Sequence, residues 1–398
     1  MKRLRLFAAL VTVVAVTILG CGRSAPDQAP ANATVVRLTA NSSLVPWLQK
    51  AIPEFNDQRL ETSQGKPVFV ELTAAESGQA VVDIASGGSA PTLWIPDTPV
   101  WTDVLAEQGN PAYQDDCASV ARSPLVIAMW RPIAESLGWP GRSLGWLDIG
   151  SLAADPTAWA YYSGGQFGPS LRLGHTHPGL SSTGASTLLA LVQAAQSKTQ
   201  AVDANDIQQP IVKASVGAFE GAVSWFSNST DTLGQAMRER GAGFLGAAVV
   251  YESTVIQYGS GDPSIVAVYP FEGTFMATFP ACTNSEAEAA EIEAAQAFRT
   301  YLLSLDGQAL ALQAGLRPAN PQAPVGAPLD AAHGVDLSQP EIVFDPPSVE
   351  SVYAVQGLWQ SARKSVNLVM LVDASGSMQG SKIEKVREAA VQFVEQMG

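Results

Sequence analysis

The stretch ESGQAVVDIASGGSAPTLWIPDTPVW, Glu76 to Trp101, decides the class of fold. ESGQAVVDIASG opens a helix that Gly87-Gly88 closes, because glycine reaches the backbone conformations that end a helix. PTLWIP (91–96) is a short apolar run bounded by prolines, the mark of a strand. VWTDVLAEQG then begins another helix. Helix, strand and helix in such close succession indicate a parallel sheet assembled from βαβ units.

The alternation extends in both directions. VVRLTA (35–40) and PVFVELT (67–73) read as strands. Between them Leu44, Trp47, Leu48, Ile52 and Phe55 recur at helical spacing, with Pro46 in the first turn, where proline is tolerated. Downstream, SPLVIAMW (123–130) is a strand, GWLDIGSLAA a short helix, SLRLGHTHP (170–178) a strand and loop, and STGASTLLALVQAAQ (182–196) a strong helix. PIVKASVGAFEGAVSWF reads as one helix, GFLGAAVVYESTVIQY (243–258) as strand, turn and helix, and SIVAVYPFEGTFMATFPAC (264–282) as strands. AEAAEIEAAQAFRTYLLSLDGQALALQAGL carries the strongest helical pattern, interrupted near Asp306-Gly307, before prolines break all regularity.

The 398 residues are 46% hydrophobic and 15% charged, a globular composition, with a formal charge of −14. Nucleic acid needs Lys and Arg for its phosphates, so this acidic balance argues against it as a partner. The sequence contains no H-E-x-x-H and no G-x-x-x-x-G-K-[ST] phosphate loop, its one G-x-S-x-G match (Gly141-Arg142-Ser143-Leu144-Gly145) does not directly follow a strand, and its acids are scattered. We therefore expect a binding protein and no enzyme.

Five stretches together carry a family resemblance: SSLVPWLQKAIPEFN, ESGQAVVDIASGGSAPTLWIPDTPVW, SPLVIAMW, THPGLSSTGASTLLAL and FRTYLLSLDGQALALQAGLRPANP. In order and spacing they resemble the bacterial extracellular solute-binding proteins of the two-lobed, type II periplasmic kind. The resemblance covers residues 35 to about 320 and implies two α/β lobes, with solute in the cleft between them. Ligands of open α/β sheets lie at the carboxyl ends of strands, where helices begin. Hydroxyl residues stand at three such starts: Asn41, Ser42 and Ser43; Ser77 and Gly78; Ser181, Ser182, Thr183 and Gly184. Hydroxyls donate and accept there, and they also serve as ordinary N-caps. Their convergence on one cleft is implied by the resemblance. Glu252, at a strand end, is a fourth candidate or a capping residue. Trp94 and Trp101 are expected in the core. His175 and His177 share a strand face and suit zinc by spacing, but no third ligand accompanies them; loop structure beside the cleft is the preferred reading.

At the N-terminus, MKRLR precedes the apolar run LFAALVTVVAVTILG, which is short for a membrane span and suits a signal peptide. Ile18-Leu19-Gly20-Cys21 resembles the bacterial lipobox. By that resemblance residues 1–20 are a lipoprotein signal peptide, Cys21 carries the lipid (palmitate among its acyl chains), and the mature protein sits on the extracytoplasmic side of the cell membrane. An ordinary signal peptide with an incidental cysteine is the alternative. Residues 21–34 read as a flexible tether. Cys117 and Cys282 remain, an even pair in an oxidising compartment, and we expect a disulfide between them in preference to two buried thiols.

After the two-lobed domain (35–325) comes a connector (326–362) whose Val352, Val355, Leu358 and Trp359 have helical spacing. Then Asn367–Val372 is an apolar run suited to a buried parallel strand, and Ile383, Val386, Ala390, Phe393, Val394 and Met397 mark one face of a helix. Between them stands Asp373-Ala374-Ser375-Gly376-Ser377. This D-x-S-x-S resembles the metal-ion-dependent adhesion motif of von Willebrand factor type A domains, a Rossmann-like fold. The resemblance implies that Asp373, Ser375 and Ser377 hold Mg²⁺, a hard cation suited to carboxylate and hydroxyl oxygens, and that the domain contacts a protein partner. The family completes its site with a threonine and an aspartate on later loops, so residues 363–398 read as a truncated domain, and the chain as a fragment or an early stop.

Two functional readings follow. One is a lipid-anchored binding protein that captures a small polar or anionic solute and uses the adhesion-type domain for a partner. The other is a cell-surface adhesion or assembly protein whose solute-binding fold is a structural platform.

Overall fold

The computed structural model describes residues 28–362, 371–373 and 375–395, and these divide into two compact units at Ala362/Arg363. The first unit contains the strands β1 (Thr34–Ala40), β2 (Val68–Ala74), β3 (Leu93–Ile95), β4 (Cys117–Ser119), β5 (Ala121–Trp130), β6 (Leu173–Thr176), β7 (Val223–Ser227), β8 (Ala247–Tyr251), β9 (Ile265–Val268), β10 (Met276–Ala277), β11 (Pro280–Thr283) and β12 (Arg317–Pro318). They form two sheets, one per lobe. Among the described residues no helix is long and apolar enough to cross a membrane.

Lobe 1 has the order β2-β1-β3-β11-β4. Its first three strands are parallel, with Leu38 opposite both Leu72 and Leu93. The predicted strands at 35–40, 67–73 and 91–96 are therefore present. Helix Val45–Asp57 covers this sheet with Trp47, Leu48, Ile52 and Phe55, all buried. Phe55 packs edge-on against Phe298 at 5.0 Å. Each such side chain contributes roughly 1.5–3 kcal/mol when fully buried. Trp94 and Trp101 are also buried.

Lobe 2 has the order β10-β5-β8-β6-β7, with β9 and β12 also on β5. Its central helix, Ser182–Gln196, is buried on every side from Ser182 to Ala194. This explains its nearly unbroken run of small and aliphatic residues.

Two antiparallel crossings join the lobes: β4 runs into β5 through Val120, and β10 into β11 through Thr278 and Phe279. They lie side by side, Val120 N–H donating to the Phe279 carbonyl at 3.1 Å. Cys117 and Cys282 face each other across this junction and are bonded.

Three expectations are corrected. The segment 210–226 is a helix, Pro210–Ala222, followed by strand β7; Trp225 and Phe226 leave the helix to pair with Gly174 and His175. The interruption expected near Asp306-Gly307 is present, at Leu303-Ser304, where Ser304 caps a second helix, Leu305–Gln313, by accepting the Gly307 N–H at 3.1 Å. His175 lies within β6, and neither sheet is wholly parallel, since the crossing strands run against it.

The connector packs against the lobes and ends in helix Val349–Ala362, which buries Val352, Val355, Leu358 and Trp359. Trp359 Nε1 donates to Glu220 Oε2 at 3.1 Å in lobe 2. On the lobe 1 side, Gln108 Nε2 donates to Tyr353 OH at 3.4 Å. In the second unit, a turn at Gly376–Met378 leads to helix Ser381–Glu395. Ile383, Val386 and Ala390 are its half-buried face. Most of the strand expected over 366–372 lies outside the described residues.

Candidate functional site: a buried polar junction between the lobes

The helix starts do converge. In lobe 1, β1 ends at Asn41-Ser42, β2 leads to Glu76-Ser77 at the start of helix Ser77–Ala85, and β3 ends just before Asp97. In lobe 2, helix Ser182–Gln196 begins after Ser181, helix Thr230–Arg240 after Ser229, and β8 ends at Tyr251. These are carboxyl ends of strands, where an open α/β sheet exposes its free helix N–H groups.

Two carboxylates occupy the centre. Asp97 accepts from Ser77 Oγ at 2.7 Å, Tyr251 OH at 2.7 Å and Asn41 Nδ2 at 3.4 Å. The Ser182 hydroxyl is shared between Asp97 and Tyr251. Glu76 accepts from the Ser42 hydroxyl, from Ser181 Oγ at 2.5 Å and from Thr230 N–H at 3.3 Å. A backbone bond also crosses between the lobes, Gln79 N–H to the Leu180 carbonyl at 3.0 Å. Gly78 makes this approach possible: a Cβ there would stand 2.6 Å from the Gly179 oxygen.

Glu76 is 4% and Asp97 0% exposed, and no cation is among their described partners. Burial pushes the Glu76 carboxyl up to about 7, helped by the nearby Asp97 charge and opposed by Ser181, Ser42 and Thr230. Burial likewise raises Asp97, against the hydrogen bonds from Tyr251, Ser77 and Ser182. Desolvation outweighs hydrogen bonding at both acids.

Ser42, Ser77, Gly78 and Ser182 thus lie in one junction. The Ser43 hydroxyl is buried beside it in sequence and has no partner among the described residues. Thr183 sits one layer behind, its hydroxyl bonded to those of Thr176 (2.7 Å), Thr230 (2.9 Å) and Ser181 (3.1 Å). Glu252 does not join this set. Its carboxylate holds Arg317 at 2.8 and 2.6 Å and Tyr269 OH at 2.5 Å, fixing β12 and the connector to lobe 2. His175 is buried against Glu220 at 2.8 Å, and the His177 ring packs on Trp359, so the two histidines serve the docking of the connector helix. No cluster of three metal-ligating side chains occurs among the described residues. A separate cavity of about 680 Å³ is lined by lobe 2 and connector residues, Arg131, Trp139, Tyr269 and Asp336 among them, and not by the junction.

Glu76, Asp97, Thr230 and Tyr251 were missed in the sequence. Position held a signal: Asp97 and Tyr251 stand at strand carboxyl ends, and Glu76 directly precedes the Ser77-Gly78 pair.

Residues 36–317 match the family model for bacterial extracellular solute-binding proteins. The chain belongs to this family. Solved structures share the solute-binding fold at low identity. The sulfate-binding protein SubI from Mycobacterium tuberculosis H37Rv aligns with a TM-score of 0.52 at 19% identity, over 82% of this chain and 97% of that one. A periplasmic thiamin-binding protein aligns at 0.60 and 11%, over 85% and 99%. The periplasmic binding protein AfuA from Actinobacillus pleuropneumoniae, with fructose-6-phosphate bound, aligns at 0.56 and 15%, over 82% and 96%. No curated protein sequence matches the chain. As a member of an extracellular family of binding proteins, the chain is extracytoplasmic by family, and the family match falls on the two-lobed body described above.

Proposed function

We propose that this chain is a lipid-anchored extracytoplasmic binding protein that captures a small polar solute between its lobes, with Ser42, Ser43, Ser77, Gly78 and Ser182 forming the binding surface and Thr183 supporting it from the layer behind. Glu252 is left out of that surface, since its carboxylate is engaged by Arg317. One observation carries the reading: the hydroxyl-bearing helix starts of both lobes meet at a single buried junction. The relatives of known fold are described with an inorganic anion, a vitamin and a sugar phosphate, so fold alone does not choose the solute. Of the polar and anionic classes, the two uncompensated carboxylates favour the neutral or cationic polar one.

The lipid at Cys21 fixes the protein to the cell membrane; stable attachment takes more than one acyl chain. The D-x-S-x-S turn supplies oxygen donors of the kind Mg²⁺ takes. Asp373 and Ser375 are exposed, and the Ser375 N–H, which donates to Asp373 Oδ1 at 2.8 Å, acts with the Ser375 side chain to hold the Asp373 carboxyl below the usual range. In a completed von Willebrand factor type A domain, Asp373, Ser375 and Ser377 would hold Mg²⁺ and face an acidic group of a protein partner.

A thermal-shift screen of polar solutes tests the reading, since a ligand that binds the folded state raises its melting temperature. A solute found this way loses at least roughly tenfold in affinity in the double variant Ser77→Ala/Ser182→Ala, through two lost buried hydrogen bonds. A screen without a shift returns the second reading, in which the lobes are a platform for adhesion. The direct Gln79–Leu180 bond across the closed lobes favours that alternative.

A further inference from the structure

We infer that Glu76 is an internal ligand: its carboxylate reaches from lobe 1 into the donor set of lobe 2, holds the lobes together without solute, and keeps external anions out. The inference rests on the interlobe junction being the solute site, as proposed above.

Glu76 precedes helix Ser77–Ala85 at the capping position, yet its side chain bonds to none of that helix's N–H groups. Ser181 holds the same position on helix Ser182–Gln196 and also makes no capping bond to its own helix. A serine at that position ordinarily turns inward to accept an N–H. Here the Ser181 hydroxyl donates outward to Glu76, and Thr230 N–H, in the first turn of a second lobe 2 helix, does the same. Ser42 adds a donor from lobe 1. The carboxylate therefore has hydroxyl and amide donors from both lobes, the arrangement by which helix starts hold a bound anion.

Burying this carboxylate without a cation is costly. Donors from both lobes, the Ser42 and Ser181 hydroxyls and the Thr230 N–H, offset that cost, which ties its burial to what it does at the junction. It satisfies donors that would otherwise be stranded in a closed, empty cleft. It also places negative charge, beside that of Asp97, where an anionic solute would have to sit. A solute that enters must part Glu76 from Ser181 and Thr230 or leave them joined and bind beside them.

The test uses the full chain at pH 8 with a spin-label pair at Val82 in lobe 1 and Ile211 in lobe 2, both exposed. Acetate is the probe, because it restores the group removed by Glu76→Ala. We expect the unsubstituted chain to give a short interlobe distance that acetate does not alter. Glu76→Ala should lengthen that distance, and acetate, binding with an affinity on the order of 1 mM, should return it to the original value. Glu76→Gln, which keeps the shape but replaces one acceptor oxygen by a donor, should lengthen it in part. An unchanged distance in Glu76→Ala, or a lengthened one that acetate leaves unaltered, overturns the inference. If Glu76→Ala does not fold, Glu76→Gln decides, and an unchanged distance there overturns it too. Opening and reclosure in a chain that binds no polar solute would sink the solute-capture reading and leave Glu76 as the internal ligand.

Discussion

The two lobes present opposite chemistry to each other. Lobe 1 brings both carboxylates, Glu76 and Asp97, whereas lobe 2 brings donors: Ser181, Ser182, Tyr251 and the Thr230 N–H. They differ in construction as well. The lobe 1 sheet is closed at its crossing strands by the Cys117–Cys282 bond, while lobe 2 has no disulfide among its described residues and is organised around one fully buried helix. The acids thus stand on the covalently tied half, and their partners across the junction on the half held by packing alone. Complementary halves close on each other without a third component, which a cleft with like groups on both sides does not do.

The largest break in this comparison comes from the disulfide. The bond closes a loop of 165 residues, and its loss costs about 4–5 kcal/mol in the chain-entropy model. In Cys117→Ala/Cys282→Ala, hydrogen exchange should quicken at the junction of β4 and β11 in lobe 1 well before it does in β8 of lobe 2. Equal quickening in both lobes would show that they unfold as one body.

Next in size is the effect of pH. Glu76 is raised from its ordinary 4.5 to about 7, so between those values the native chain holds a proton that the unfolded chain has lost. Its contribution to stability is fully present below pH 4.5 and is lost as pH rises through 7. The shift corresponds to about 3 kcal/mol. Asp97, also raised, acts in the same direction. Denaturant titrations at pH 5 and pH 8 should show the fall in the unsubstituted chain and a smaller one in Glu76→Gln. A Glu76→Gln chain with an undiminished fall would remove Glu76 as its source.

The smallest effect separates two glycines. A Cβ on Gly184 would lie 2.3 Å from the Thr176 oxygen within lobe 2, and one on Gly78 would lie 2.6 Å from the Gly179 oxygen in the opposite lobe. Gly184→Ala should cost about 1–3 kcal/mol of folding stability, as overpacking against fixed backbone does. Gly78→Ala should leave both lobes folded and free the Gln79 amide to exchange, because the lobes relieve the clash by parting. Loss of folding stability in Gly78→Ala as large as in Gly184→Ala would mean that the lobes are not separable bodies.

Much of the fold was legible because the alternation of short apolar runs and amphipathic helices is local. Leu93–Ile95 and Val45–Asp57 follow from spacing alone. The segment 210–226 misled because Val223–Ser227 continues an apolar pattern that suits either element, and pairing with β6 decides between them. At the site, Ser77 and Ser182 were legible as helix starts. Glu76 and Asp97 were not, since a buried acid looks like any surface acid until the fold supplies its hydroxyl partners. Glu252 misled for the converse reason: it follows β8 as expected, but Arg317, 65 residues later, claims its carboxylate.

The connector helix Val349–Ala362 touches both halves unequally. Toward lobe 2 it offers a buried indole, Trp359 on Glu220, and toward lobe 1 a single bond at the limit of length, Gln108 to Tyr353. Were the lobes to part, the shorter and buried indole bond would hold better than the tyrosine contact, so the helix would be expected to stay with lobe 2 and shift against the helix Val100–Glu107. The angle between the lobes would thereby be expressed as a displacement near Ala362, where the first unit ends. The state of a sealed interior junction becomes something another molecule can feel without entering it.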